Sequence, residues 1–430
     1  MNTDYSARKV LIAVWGNPWR IYSKDYYWRE VNYVYKTVKK KARTTLPVLL
    51  EALNPDKALI VVPESIVYKQ VNDYSELKKH VNEIYEYFIE KECGIPRSKV
   101  ELLVLPSIGR YINKCNSVKE HSLQVEIHGS PLNYSYLLAV EISKIFEELL
   151  VEVFQTSKLQ LEVYLDITHG VNFMPTTARA ILQDLLSILS AFLKTKLVVL
   201  NSEPVIGEDT GERSILEVEI QDPLIPEYFS FTNLKTLTQL IRRDKAPTSK
   251  EGLHALPKVI PVTLLDPFEG VSEDKIKKIL EEGSRVLFEV IPESKVNDFL
   301  AFASSLQYIL PLWISYFKAQ LKEIEENKPI SKLEDALKRA FENLTEVESE
   351  GTRLCVIHQA SITNVVLDLV RALLALHVLS AVNFRGGEVI TLEESKFEKL
   401  GAELKNVPGL FEYFKIRMGQ DVGNIAYNIY

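Results

Sequence analysis

The stretch Tyr164-Leu165-Asp166-Ile167-Thr168-His169-Gly170-Val171-Asn172 decides how the first half of the chain is read. A β-rich run, Leu159–Ile167, ends in polar residues, a glycine turns the chain, and a helical pattern begins with Asn172 placed as its N-cap. That is a strand passing into a helix across one end of a sheet. Outward from it, further strand patterns fall at Lys9–Trp15, Ala58–Pro63, Val100–Pro106, Leu123–His128, Lys196–Asn201 and Ser214–Ile220. Helical patterns lie between them at Thr44–Leu53, Tyr74–Lys91, Leu132–Gln155 and Asn172–Leu193. Several strands are apolar throughout, which suits burial on both faces of a mostly parallel sheet. The alternation gives βαβ units, hence a doubly wound, Rossmann-like α/β domain.

The chain has 430 residues, enough for two or three domains at roughly 150 residues each. Lys plus Arg is 51 and Asp plus Glu is 58, so the net charge of −7 excludes a uniformly basic chain while permitting a local basic groove. With 46% hydrophobic residues, it is a folded chain and not a disordered tail. Cys93, Cys115 and Cys355 are too few and too scattered for a disulfide framework or a zinc knuckle, and a reducing cytoplasm is the expected setting. The apolar run Val10–Trp15 is too short for a signal peptide. Phe299–Phe317 is uncharged, but Ser304, Ser305, Gln307, Pro311 and Ser315 make it a buried core helix rather than a membrane span.

Near residues 221–232, where two prolines lie close together, the pattern changes to one that is chiefly helical. Helices are expected at Asn233–Arg242, Glu273–Glu282, Lys295–Asn327, Lys332–Leu344, Arg353–Val382 and Glu393–Leu404. The charge-rich section Lys318–Glu350 reads as the solvated faces of two helices joined at Pro329. The phosphate loop, the GxGxxG fingerprint, HExxH and CxxC are all missing from the sequence. An ATPase, a dinucleotide dehydrogenase and a zinc hydrolase lose ground accordingly.

Five places can carry chemistry. In a parallel sheet, ligands bind at carboxyl strand ends near the switch in strand order, where a helix N-terminus also attracts anions. Thr168 and His169 can hydrogen-bond a phosphate or a base edge there, and Gly170 lets the backbone approach. Equally, Asp166 and Thr168 can simply cap the turn. A second strand end carries Gly16-Asn17-Pro18-Trp19, followed by aromatics interleaved with cations. Residues 1–50 hold ten Lys/Arg against three Asp/Glu, which suits either nucleotide binding or a solvated basic helix face with its aromatics packed at a subunit contact. The turn Glu126-Ile127-His128-Gly129-Ser130-Pro131 has the same shape and reads first as structural. In the second half, Arg353 and His358 are five residues apart, which on a regular helix puts their side chains about 140° apart. They converge only at a frayed helix start or across two chains. A His with an Arg and no metal ligand suits general acid–base chemistry on a phosphodiester. Arg371 and His377 lie in a strongly apolar run and read as bundle residues paired with neighbours such as Asp368.

Together, the Asp166-to-Gly170 strand end, the Gly16-Asn17-Pro18 turn and Arg353-x4-His358 in a helical second half resemble one known architecture. It is the CRISPR-associated Rossmann-fold (CARF) domain joined to a HEPN ribonuclease domain, found in accessory ribonucleases of type III CRISPR systems. The resemblance implies a CARF domain over residues 1–221, a connecting region over 222–295 and a mostly α-helical HEPN domain over 296–430. It further implies that Gly16, Asn17, Pro18, Trp19, Asp166, Thr168, His169, Gly170 and Asn172 bind a cyclic oligoadenylate activator. The expected ring is cyclic tetra-adenylate, ahead of cyclic hexa-adenylate. Arg353 and His358 of two protomers would form one catalytic pocket that cleaves single-stranded RNA without metal or other cofactor, using the RNA 2′-hydroxyl. The expected assembly is a cytoplasmic homodimer, or several dimers, with no membrane partner. Leu354 departs from the pattern, because many HEPN nucleases carry a polar residue after the motif arginine. A CARF regulator without turnover and a ring nuclease that degrades its own ligand are the alternatives. A metal-dependent DNA nuclease is disfavoured, since Asp266-Pro267 has no carboxylate partner on a neighbouring strand pattern.

Overall fold

A computed structural model of the chain describes residues 7–18, 28–114, 122–155, 160–171, 173–205, 211–222, 224, 262–264, 273–307 and 311–381. Its strands are β1 (Arg8–Val14), β2 (Val31–Tyr35), β3 (Val38–Ala42), β4 (Lys57–Pro63), β5 (Glu101–Leu105), β6 (Gly109–Lys114), β7 (Ser122–His128), β8 (Gln160–Asp166), β9 (Lys194–Ser202), β10 (Glu212–Gln221), β11 (Val262–Leu264), β12 (Thr345–Glu350), β13 (Arg353–His358) and β14 (Ala360–Ile362). The helices described are α1 (Leu46–Leu53), α2 (Tyr74–Tyr87), α3 (Pro131–Gln155), α4 (Phe173–Ser190), α5 (Glu273–Val290), α6 (Val296–Gln307), α7 (Pro311–Gln320), α8 (Lys322–Glu326), α9 (Pro329–Asn343) and α10 (Asn364–Ala381).

Eight strands form one sheet in the order β3-β2-β10-β9-β8-β1-β4-β5. Every pairing from β9 to β5 is parallel, and β10 runs antiparallel to β9. The continuous apolar runs of β1 and β4 are the reason: Val10 to Trp15 and Ile60 to Val62 are fully buried, as a strand covered on both faces must be. From β1 the chain steps through α1 to β4 and through α2 to β5. From β8 it steps the other way, through α4 to β9. Right-handed crossovers therefore put α1 and α2 on one face and α4 on the other, and the winding reverses between β1 and β8. This is the Rossmann-like α/β arrangement expected of the first half.

The β2–β3 hairpin is a correction. The basic, aromatic segment after Trp28 forms two strands at one end of the sheet rather than a helix, because Val31, Tyr33 and Tyr35 alternate inward. Its lysines face carboxylates: Lys39 with Glu212, Lys40 with Glu51 at 2.5 Å, and Lys41 with Glu30 at 3.2 Å.

The second half departs further. Arg353–Val382 is not one helix, since α10 starts only at Asn364. Before it, Leu354, Val356 and His358 alternate inward while Arg353, Cys355 and Ile357 face out, which is strand periodicity. Thr345–Glu350 is the partner strand β12 rather than helix surface, and Gly351 at φ 56° closes the hairpin. The span Lys295–Asn327 divides into α6, α7 and α8. Phe299–Phe317 falls across the first two of these, and among the described residues no helix is long and apolar enough to cross a membrane. The expected helices at Asn233–Arg242 and Glu393–Leu404 lie outside the described residues.

The two halves share a sheet. Strand β13 pairs in parallel with β7, giving a second sheet in the order β12-β13-β7-β6. Asn133 on α3 donates its amide to the Ala360 carbonyl at 3.0 Å and accepts the Ile362 N–H at 2.8 Å. Helix α3 also packs against α4, α9 and α10. The composition change near residues 221–232 is thus bridged by β7–β13 pairing and by helix packing.

Candidate functional site

The loops after β1 and β8 meet at the reversal of winding, where a doubly wound sheet leaves a crevice. The Gly16 N–H donates to the His169 carbonyl at 2.8 Å, tying the two loops together. Gly16 has to be glycine, because a Cβ would stand 2.7 Å from a Val171 methyl. Its carbonyl accepts the buried Tyr85 hydroxyl at 2.8 Å. The Asn17 side-chain oxygen accepts from Tyr68, and the Pro18 carbonyl accepts the Trp28 N–H at 3.3 Å.

Asp166 stands below this loop. Its carboxylate accepts the Thr168 N–H at 3.0 Å and the Thr45 hydroxyl, and it is 1% exposed. Burial raises its pKa above the usual carboxylate value. Asp166 therefore shapes the turn and does not line the cleft. Thr168 accepts the Ser202 N–H at 3.0 Å, joining β9 to the same loop. The His169 ring lies 4.3 Å from Trp28 at 31°, with the edge of Tyr33 beyond. Its Nε2 is buried and has no hydrogen-bond partner among the described residues. Burial pushes the His169 pKa down to about 3, so near neutral pH the ring is uncharged. It offers a ligand one hydrogen bond and a π-face, and no charge for a phosphate.

These loops form one wall of a cleft of about 440 Å³. Gly16, Asn17, Thr168, His169 and Gly170 line it, whereas Pro18 and Asp166 support it from behind. Trp19 and Asn172 lie outside the described residues. The opposite wall was missed by the sequence reading. It comes from Pro63 at the end of β4, from Ser65 and Ile66 after it, and from Arg110 to Asn113 on β6. Asn113 fixes the two together by donating to the Ser65 and Val67 carbonyls at 2.6 and 2.9 Å. The signal for β6 was its alternating Tyr111 and Asn113 inward with Arg110 and Ile112 outward, in a run too short to stand out. Arg110 brings a guanidinium to the cleft, shared with Glu126 at 3.0 Å.

Arg353 and His358 are not brought together. They end opposite faces of β13, because five steps along a strand invert the side chain. Arg353 is exposed and binds Glu126 at 2.6 Å, which His128 also meets at 3.2 Å. His358 is 1% exposed: its Nε2 meets Glu64 at 2.7 Å, its Nδ1 meets Thr345 at 2.9 Å, and Phe341 stacks on the ring at 4.6 Å. In this arrangement His358 cannot reach an RNA hydroxyl. The turn after β7 is structural on one side, where Ser130 accepts the Leu132 N–H at the start of α3. Arg371 is held by Asp184 and Asp368, and His377 meets the Glu147 carbonyl at 3.0 Å, as the bundle reading expected. Among the described residues no group of three or more His, Cys, Asp or Glu could hold a metal ion.

Residues 10–204 match the model of the CRISPR system endoribonuclease Csx1, CARF domain. This segment is similar to that CARF domain. Every residue of both cleft walls lies within it. The chain is 28% identical over 323 residues to the CRISPR system endoribonuclease Csx1 of Methanocaldococcus jannaschii, covering 74% of this chain and 57% of that protein. The chain thus spans a little over half the length of this curated relative. A solved structure, Enterococcus italicus Csm6 bound to cyclic hexa-2′-fluoro-hexa-dAMP, aligns over 94% of this chain and 93% of its own at 11% identity. Its TM-score is 0.22, too low to carry an argument.

Proposed function

We propose that the strand-end cleft of the CARF-like domain binds a cyclic oligoadenylate, and that the ligand regulates a metal-independent ribonuclease of HEPN type in the helical second half. The observation that carries this reading is the tie between Gly16 and His169, which builds the cleft at the reversal of winding inside the matched segment. An uncharged His169 beside Trp28 suits a base, and Arg110 suits a phosphate. A cleft of about 440 Å³ is the scale of one drug-sized ligand, so a ring of four adenylates needs two clefts face to face. This supports a homodimer around the ligand. RNA is the proposed substrate, in keeping with the name of the relative, and its single-stranded form is the one proposed.

Arg353 and His358 act as the cutting pair only if His358 leaves Glu64. Its burial favours a second reading, a sensor that binds the ring without turnover. One experiment separates them: labelled single-stranded RNA in EDTA, with and without cyclic tetra-adenylate or cyclic hexa-adenylate, for wild type and His358→Ala, alongside calorimetric binding. Cleavage that needs the ligand and is lost in His358→Ala, with binding retained, supports the ribonuclease and its histidine. Binding with no cleavage in wild type supports the sensor, and no binding of either ring size overturns the cleft reading.

A further inference from the structure

We infer that His358 is a positioning residue for the ligand cleft: through Glu64 it couples the cleft wall to the second half of the molecule. This deepens the proposed ligand reading and rests on it.

Glu64 follows β4 directly, and its chain neighbours Pro63, Ser65 and Ile66 line the cleft. Its own side chain points the other way and is fully buried. Both carboxylate oxygens are occupied. Oε1 accepts the Ser107 N–H at 3.0 Å and meets His358 Nε2 at 2.7 Å, while Oε2 accepts the Tyr74 hydroxyl at 2.7 Å. One carboxylate thus gathers the end of β4, the start of α2, the segment after β5 and the end of β13. On the far side, His358 Nδ1 meets the Thr345 hydroxyl at 2.9 Å, which also donates to the Phe341 carbonyl at 2.8 Å. Phe341 and Thr345 join α9 to β12, so the chain of contacts runs from the cleft wall into the second half.

The packing leaves little slack. A Cβ on Gly129 would stand 3.0 Å from the His358 ring, and Tyr74 meets the same ring edge-on at 5.4 Å. Strand β6, which forms the rest of this cleft wall, lies in the same sheet as β13, with β7 between them. A ligand that shifts the turn at residues 63–66 or the strand β6 must therefore either move His358 or break a bond to a buried carboxylate. Leaving such a group unsatisfied is costly, so the carboxylate and the imidazole move together. Linkage requires the converse: whatever sets the second half sets ligand affinity by the same factor.

The test is amide hydrogen exchange in the full chain, with synthetic cyclic tetra- or hexa-adenylate as probe, for wild type and for Glu64→Gln. The same shape without the carboxylate keeps the turn packed. Wild type is expected to bind, and binding is expected to change exchange in Thr345–His358 and in α9. Glu64→Gln should bind on the order of tenfold more weakly, lose that distant change, and keep the local change at residues 167–171. The double variant Glu64→Gln/His358→Gln pairs two amides and should recover most of the affinity. Wild type binding without any change beyond the cleft overturns the inference, as does Glu64→Gln transmitting the change at full size. Absence of binding to wild type overturns the ligand reading itself, and the inference with it.

Discussion

His169 and Asp166 are three residues apart in one turn, and burial pushes their protonation in opposite directions. The His169 pKa falls from 6.5 to about 3, so between those values the unfolded chain holds a proton that the folded chain refuses. Stability from this group is complete above pH 6.5 and is lost as pH falls towards 3, at up to about 1.4 kcal/mol per pH unit. His80 and His377 are lowered in the same direction by burial and add to the loss. Asp166 keeps its proton to higher pH when folded, so its term runs the other way, favouring the folded state below its raised value and fading as pH rises through it. His169→Gln should flatten the acid limb of a denaturant-stability curve between pH 6.5 and 5 by close to one proton, with little change above pH 7.5. An unchanged slope would mean that the ring is solvated and titrates normally.

At the scale of elements, the edge hairpin β2–β3 shows how composition can mislead. Lysines beside aromatics suggest a phosphate groove, yet Lys39, Lys40 and Lys41 are half-exposed and already face carboxylates. Such pairs contribute about 0–1 kcal/mol each, which makes them surface dressing for an edge strand. Changing all three to glutamine should leave affinity for cyclic tetra-adenylate within about threefold, with little altered salt dependence, while Arg110→Gln should weaken it more. A steep loss in the triple variant would return the basic face to the site. What could be read beforehand follows the same logic. The parallel core was legible because Val10 to Trp15 and Ala58 to Val62 are apolar without interruption, and because Asp166-to-Gly170 marks a strand end. The β12–β13 hairpin was hidden by the acidic run Glu346–Glu350 and by the apolar helix that follows. Its signal lay in the adjacent β-branched residues Val356 and Ile357 and in the glycine of the turn. Half of the cleft escaped notice because Pro63 to Ile66 and β6 carry no motif, and only folding brings them opposite His169.

For the whole molecule, the shared sheet sets the question of whether the halves are separate folding units. If they were, residues 1–221 would unfold on their own and the full chain would melt in two steps. The contacts argue for one. Removing the second half would strip β13 from β7, expose the buried face of α3 and leave Glu64 without His358. It would also uncover α10's partners: Val365, Val366, Leu369, Val370, Leu373 and Leu376 are fully buried where α10 packs on α3 and α4. Each such side chain contributes about 1.5–3 kcal/mol when fully buried, so their combined loss, about 9–18 kcal/mol, is as large as the whole net stability of an ordinary domain, roughly 5–15 kcal/mol. Scanning calorimetry of the full chain should therefore show a single transition across these elements, with calorimetric and van't Hoff enthalpies in agreement. The isolated 1–221 fragment should lack sharp near-ultraviolet dichroism and self-associate through the uncovered α3 face. Two resolved transitions, or a monomeric and sharply melting fragment, would show instead that the β7–β13 pairing is a docking contact laid between finished domains.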